Sequence, residues 1–431
     1  MSSEAKGQAS VTNVVRVVSG NFLEMYDFMV YGFYASSIAK AMFPGDSEFI
    51  SLMLSLATFG MGFLMRPLGA IVLGSYMDRH GRRAGLILTL TLMSIGVLMI
   101  AVTPTYASIG VLAPVLVIIG RLLQGFSAGA ESGGVSVYLA EVAPPGRRGF
   151  YVSWQSASQQ LSVLLAAVLG VALRFTLTNE QMDAWGWRIP FLLGCSIVPV
   201  LFWIRRSVTE SHVFRTQKPQ SVGEIFRSLA LNWHIILWST MLVSLTSIMF
   251  YLITAYTPTF GRTELGLKSI DTFYVTICVA LTTFVMIPVM AALSDRIGRR
   301  PLLIGASLTI AIVAWPAMTW LVAAPSFMSL LLVEVGFALL YASYQAALVV
   351  TLTEIIPANV RGTGFSLAYS LSQAVFGGFT PAICTALIHT TSNKAMPGAW
   401  LVMGALFALF ATLVIVRRSN HLVGEVSARA V

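Results

Sequence analysis

Charge is what this sequence has least of. Asp, Glu, Lys and Arg make up 10% of its 431 residues, where a soluble domain carries about 25%. So few charges cannot cover a globule in water, which excludes a soluble enzyme of this length. Cysteine is scarce too. Cys195, Cys278 and Cys384 lie in apolar segments without Cys-x-x-Cys spacing, which argues against a disulfide framework, a redox pair or a thiolate metal site. The five His residues show no ligand spacing, and no Ser/His/Asp set or phosphate loop can be assembled. No catalytic residue, metal ligand or cofactor site is therefore expected. Met1 to Ser10 lacks an apolar h-region, so no cleaved signal peptide is expected.

What the chain has is apolar length. Hydrophobic residues are 56% of the total and the mean hydropathy is +0.80. Apolar runs fall near 13–40, 50–76, 85–103, 107–141, 149–174 and 187–206, then near 232–258, 270–294, 301–322, 327–355, 360–390 and 397–417. Each holds the roughly 20 residues needed to cross a bilayer core. The expected fold is an all-α membrane protein of twelve transmembrane helices. A six-helix bundle over 1–206, a polar linker over 207–231 and a second bundle over 232–431 are predicted.

The net charge of +9 would suggest nucleic-acid binding in a soluble chain. Here the basic residues sit in short loops, so the expected partner is the lipid bilayer and not nucleic acid. Of the 27 Lys and Arg, 14 fall in the loops after the second, fourth, sixth, eighth and tenth runs and six in the opposite loops. The positive-inside rule then puts the first set, and both termini, in the cytoplasm. Lys6 and Arg16 lie in the N-terminal tail and Arg417, Arg418 and Arg429 in the C-terminal one, so only Arg66 and Arg121 remain, both well inside apolar runs.

The chain also repeats itself. Asp78-Arg79-His80-Gly81-Arg82-Arg83 matches Asp295-Arg296-Ile297-Gly298-Arg299-Arg300 at an offset of 217. Glu141-Val142-Ala143-Pro144 with Arg148-Gly149 matches Glu354-Ile355-Ile356-Pro357 with Arg361-Gly362 at 213. Two matches at nearly one offset indicate duplication. Gly81 and Gly298 permit a tight turn. Asp78 and Asp295 can pair with Arg or with a helix N-terminus across the halves, which makes these loops, with Arg82 and Arg299, candidate gates.

These loops resemble the major facilitator superfamily, as does Gly120-Arg121 with Gly125 running on to Tyr138, Glu141 and Pro144. Gly20-Asn21-Phe22-Leu23-Glu24-Met25-Tyr26-Asp27-Phe28, Leu64-Met65-Arg66-Pro67-Leu68-Gly69, Ser153-Trp154-Gln155 through Gln159-Gln160, and Trp185-Gly186-Trp187-Arg188-Ile189-Pro190 resemble its metabolite:proton symporters. The likeness is to the bacterial citrate and tricarballylate porters. Glu131-Ser132-Gly133-Gly134 stands where citrate porters show Glu-Leu-Gly-Gly, and Tyr344-Gln345 where they show Tyr-Asn. Phe250 to Phe260 looks more like the tricarballylate porters. The resemblance implies two pseudo-symmetric six-helix bundles, a bacterial cytoplasmic membrane, a monomer, and proton chemistry between Asp27 and Arg121.

Physics points the same way. An Arg at the bilayer centre costs about 2.5–3.5 kcal/mol, so Arg66 and Arg121 need partners. The acids on offer are Glu24, Asp27, Glu131 and Glu334. A carboxylate substrate received by Arg66 and Arg121 is one reading, and mutual neutralisation that locks helices together is the other. Asn21, Tyr26, Gln124, Gln155, Gln159, Tyr256, Tyr341 and Gln345 are further candidate substrate ligands. Asp27, Glu24 and Glu131 are candidate proton carriers, with Asp27 or Glu24 expected to pair with Arg121 in the empty state. Gly125, Gly129 and Gly133 read as a close-packing face. The expected function is proton-coupled import of a tricarboxylate. The alternatives are another organic acid such as 2-oxoglutarate, a zwitterionic osmolyte, or a membrane sensor. A tail of thirteen residues after Arg418 is short for a sensor.

Overall fold

The computed structural model describes residues 11–428 except 81, 130, 207–222, 224–226, 228–230 and 357–360. Among the described residues every regular element is helical. In chain order, α1 (Val11–Phe33) leads into α2 (Ala35–Met42), and α3 (Glu48–Leu64) into α4 (Arg66–His80). Next come α5 (Arg82–Val102), the short α6 (Tyr106–Ile109), α7 (Leu112–Ala128) and α8 (Glu131–Val142). They are followed by α9 (Arg148–Thr176), α10 (Asn179–Gln181), a π turn at Met182–Gly186 and α11 (Arg188–Arg206). The second series opens with α12 (Trp233–Tyr251), a π turn at Leu252–Tyr256 and α13 (Thr257–Thr263). Then follow α14 (Ser269–Ile297), α15 (Arg299–Ala323), α16 (Phe327–Ile355), α17 (Arg361–Ser372), a π turn at Gln373–Gly377, α18 (Thr380–Thr391) and α19 (Met396–Ala428). The linker expected over 207–231 lies outside the described residues apart from Gly223, Arg227 and Leu231.

Among the described residues eight stretches, including Glu48–Gly74 and Met396–Ile415, are long and apolar enough to cross a membrane. Ile87–Val102, Leu112–Ala128 and Arg188–Val200 are shorter apolar helices. The run at 107–141 differs from expectation at its start, where Gly110, at φ 60°, separates α6 from α7. Large apolar side chains such as Ile312, Leu332, Leu98 and Val289 are exposed on the outside. In water such a surface would aggregate, whereas in lipid it is the natural exterior. The interior holds the polar groups, including Asn21, Glu24, Asp27, Arg66, Arg121 and Gln124.

Glycine brings α3 and α4 against α7. A Cβ on Gly125 would lie 1.5 Å from the Gly62 carbonyl oxygen, one on Gly129 2.0 Å from that of Arg66, and one on Gly69 1.9 Å from that of Phe126. These are backbone-to-backbone contacts that no side chain can enter. They set Arg66 and Arg121, one on each side of the seam, into the same interior. Gly133, the third glycine of the predicted face, has no described side-chain environment.

The close approach is testable. Gly125→Ala puts a methyl group into a carbonyl and is expected to destabilise the detergent-solubilised protein by about 1–3 kcal/mol, the range for overpacking. Thermal unfolding followed by tryptophan fluorescence measures it, and an unchanged midpoint would contradict this packing.

Candidate functional site

Arg66 is 2% exposed and Arg121 0%, yet their charges are not buried bare. Both lie over the Phe28 ring, whose centroid is 4.7 Å from the Arg66 Cζ and 4.4 Å from the Arg121 Cζ. Arg66 also sits over Phe63 at 4.6 Å, and Arg121 over Tyr31 at 4.7 Å and Phe59 at 5.1 Å. A desolvated guanidinium gains about 2 kcal/mol over an aromatic face, the same order as its insertion cost. Tyr251 closes this aromatic box from α12, with its ring against Phe59 and Phe63 and its hydroxyl donating to Gln373 Oε1 at 2.8 Å.

The two cations are balanced differently. Arg66 Nη2 lies 3.0 Å from Glu24 Oε1 in a buried ion pair. Arg121 donates Nη1 to Gln124 Oε1 at 2.8 Å and Nη2 to the Phe59 carbonyl at 3.1 Å. Among the described residues no carboxylate forms an ion pair with it. The expected pairing of Asp27 or Glu24 with Arg121 is therefore corrected. Glu24, Phe28 and Tyr31 share one face of α1, at positions i, i+4 and i+7, and that face meets the arginines. Asp27 sits to the side, against α11, where a Cβ on Gly194 would fall 2.6 Å from its Oδ1. It is 1% exposed, and neither of its carboxyl oxygens has a hydrogen-bond partner.

The predicted amides form a belt rather than a ring of free donors. Asn21 donates to the Gln155 carbonyl at 3.1 Å and accepts from Gln159 Nε2 at 3.3 Å, which ties α1 to α9. Gln345 reaches from α16 to α9. It donates Nε2 to Ser156 Oγ at 2.9 Å, Ser156 donates to Gln155 Oε1 at 2.9 Å, and Thr246 of α12 donates to Gln345 Oε1 at 2.5 Å. The tyrosines lie elsewhere. Tyr26 donates to the Pro190 carbonyl at 2.9 Å, Tyr256 shares a hydrogen bond with Thr385, and Tyr341 packs on Phe250. Glu334 accepts from Thr257 at 3.1 Å and pairs with neither arginine. The side chain of Glu131 lies outside the described residues.

One of the two repeated turns is visible in full. Asp295, near the end of α14, accepts from the backbone N–H of Gly149 at 2.9 Å and of Phe150 at 3.0 Å, the first turn of α9. Arg299 Nη1 lies 2.7 Å from Asp295 Oδ1, and its Nη2 lies 3.4 Å from Glu354 Oε1. Gly298, at φ 90°, makes the turn between them, a conformation side chains rarely tolerate. Of the other copy, Gly81 and the side chains of Asp78 and Arg82 lie outside the described residues.

Residues 17–381 match the Major Facilitator Superfamily. The chain belongs to the major facilitator superfamily. This superfamily member is similar to the citrate-proton symporter of Salmonella typhi, 53% identical, covering 95% of this chain and 94% of that one. It is also similar to the citrate-proton symporter of Klebsiella pneumoniae, 52% identical, over 96% of this chain and 93% of that one. Its fold is that of the E. coli xylose transporter solved in a partially occluded inward-open conformation, with a TM-score of 0.75 and 19% identity over 94% of this chain and 96% of that one. It is a membrane protein, and the relatives named are transporters.

Within this facilitator, sequence reasoning found both arginines and Glu24 but missed what seats them. Phe28, Phe59, Phe63 and Tyr31 read as ordinary apolar residues, although Phe28 and Tyr31 stand four and seven residues after Glu24, one and two turns along the same face. Ser156 and Thr246, which complete the belt, carry no signal of their own.

The unequal pairing predicts unequal stability. Glu24→Gln leaves the Arg66 charge unbalanced and is expected to cost about 3–5 kcal/mol. Asp27→Asn breaks no hydrogen bond and is expected to stay within about 1 kcal/mol of the parent. Thermal unfolding of the two variants side by side measures the contrast, and equal losses would count against this geometry.

Proposed function

We propose that this protein is a proton-coupled symporter that imports a tricarboxylate, citrate or tricarballylate, by alternating access. The observation that carries the reading is Arg121: a buried guanidinium, held on aromatic faces, with no carboxylate paired to it among the described residues. The high identity to two citrate-proton symporters supports the substrate class. The reading takes twelve crossings in two halves, 1–206 and 232–431, joined by 207–231, with both termini in the cytoplasm of a bacterium.

The steps follow from charge. A substrate carboxylate docks on Arg121 in bidentate fashion. A second competes with Glu24 for Arg66, and Glu24, once released, takes a proton in the low-dielectric interior. Asp27, buried without a donor, is accommodated at least cost as the neutral acid. Substrate and proton thereby favour each other. The need for protons is energetic: each negative charge moved into a cell at −100 mV costs about 2.3 kcal/mol, so a trianion costs about 7. Gln124, Gln155, Gln159, Asn21 and Gln345 exchange their mutual hydrogen bonds for bonds to the substrate as the halves rock. Asp295 and Arg299 latch one end. The aromatic box speaks against a zwitterionic osmolyte. A quaternary ammonium needs free ring faces, and here the guanidiniums already occupy them.

Two variants test this in proteoliposomes given labelled citrate on the outside under an inward proton gradient. Arg121→Ala is expected to insert normally and lose uptake by at least about 100-fold, the loss of one charge-assisted bidentate contact; uptake at the parental rate would refute the role. Asp27→Asn is expected to exchange citrate across the membrane but not to accumulate it. Concentrative uptake by that variant would remove Asp27 from the coupling scheme.

A further inference from the structure

The far end of the bundle from Asp295 carries a feature that the central site does not use. A small cleft opens there between α1, α9, α13 and α14, lined by Phe33, Ser36, Arg174, Thr259, Arg262 and Phe273 among others. In this closed arrangement its free volume is about 10 Å³, room for one water molecule. Two arginines and no acid line it. Arg262 Nη2 donates to Ser36 Oγ at 2.7 Å, and Arg174 Nη1 to Asn179 Oδ1 at 2.8 Å. Donor capacity is left over: Arg174 Nε and the hydroxyl of Thr259, itself 4% exposed, have no partner.

The acids nearby do not cancel this charge. Asp183 is held by Lys40 Nζ at 2.8 Å and by Ser37 Oγ at 2.6 Å. Burial works to raise the Asp183 carboxyl, but the bonds from Lys40 and Ser37 outweigh it and hold the group below its ordinary value. Asp183 also attracts Arg174 and Arg262, but it is one carboxylate among three cations, and Glu180 faces bulk water. Arg174, Arg262 and Lys40 together outweigh Asp183, so the mouth between the two halves is positive on balance.

An aromatic plug separates this mouth from the centre. Phe33 and Tyr34 pack on Phe273 at 5.6 and 6.2 Å. Gly170 admits the edge of that ring, where a Cβ would fall 2.6 Å away. Asp27 lies six residues before Phe33 along α1, about 9 Å deeper.

We propose that Arg174 and Arg262 form an outer docking site for a carboxylate anion, filled before the substrate passes the plug to Arg66 and Arg121. Two fixed guanidiniums that no carboxylate ion-pairs among the described residues select an anion, and their planar forks suit carboxylates. A cationic mouth with low-dielectric walls raises the local anion concentration. The site rests on the carboxylate-transport reading, and its test separates the two.

Citrate uptake is measured in proteoliposomes at low and at physiological ionic strength. The double variant Arg174→Gln with Arg262→Gln is expected to raise KM about tenfold at low salt, with kcat within about twofold. The gap narrows as salt shortens the Debye length from about 30 to about 8 Å. Arg174→Lys with Arg262→Lys keeps the charge and is expected to restore most of the affinity; should the Gln pair fail to fold, comparing the Lys pair with each single Gln variant reads the same effect. Ser36→Ala removes the Arg262 hydrogen bond but keeps both charges, so its salt dependence stays parental. An unchanged KM in the Gln variants, or Ser36→Ala reproducing their effect, overturns the docking site. A parent protein that takes up no citrate at all refutes the function reading instead.

Discussion

Two like charges seated on one phenyl ring are the constraint around which this protein is organised. Arg66 and Arg121 both lie over Phe28, and nothing in hydrocarbon would hold them there unaided. Glu24 offsets one charge. The ring quadrupoles of Phe28, Phe59, Phe63 and Tyr31 offset part of the other. The glycine seam between α3, α4 and α7 is what makes the assembly possible, because any larger residue would push the arginines apart. Packing and electrostatics therefore meet on the same few residues of α1.

The two ends of the molecule close by different means. At one end Asp295 binds the free amides that begin α9, with Arg299 neutralising it. That contact uses backbone groups every helix start must satisfy somehow. At the other end the closure is aromatic, with Phe33 and Tyr34 on Phe273 and a single guanidinium-to-hydroxyl contact from Arg262 to Ser36. One end is thus a charged latch, and the other a stack of rings with little polar cost to separate. Such an asymmetry fits a carrier whose halves part alternately.

Much of this was legible in the chain. Helix positions followed from apolar length, the repeated Asp-Arg-x-Gly-Arg-Arg turns revealed the duplication, and Arg66 and Arg121 stood out as the two basic residues left inside apolar runs. Partner choice did not follow. Whether Glu24 or Asp27 faces Arg121 depends on the rotation of α1 and on Gly194, which gives Asp27 a place on α11; spacing alone leaves both open. The aromatic seats were hidden because Phe in a membrane helix is commonplace. Gln155, Gln159 and Gln345 were recognisable as polar groups in an apolar setting, but their engagement with one another through Ser156 arises only once α9 and α16 are side by side.

The π turn at Leu252–Tyr256 has a consequence for the mouth. Such a turn holds one residue more than the regular helix allows, and a surplus residue rotates all that follows by about 100°. Thr257 fills the gap it leaves, its hydroxyl donating to the Leu252 carbonyl at 3.1 Å. A second π turn lies alongside, where Tyr251 reaches Gln373. The azimuth of Arg262 is thus uncoupled from that of Thr246 and Tyr251 although one helix carries all three. A single-residue irregularity lets the rim and the centre of this carrier be aimed separately, so evolution can retune one without re-aiming the other.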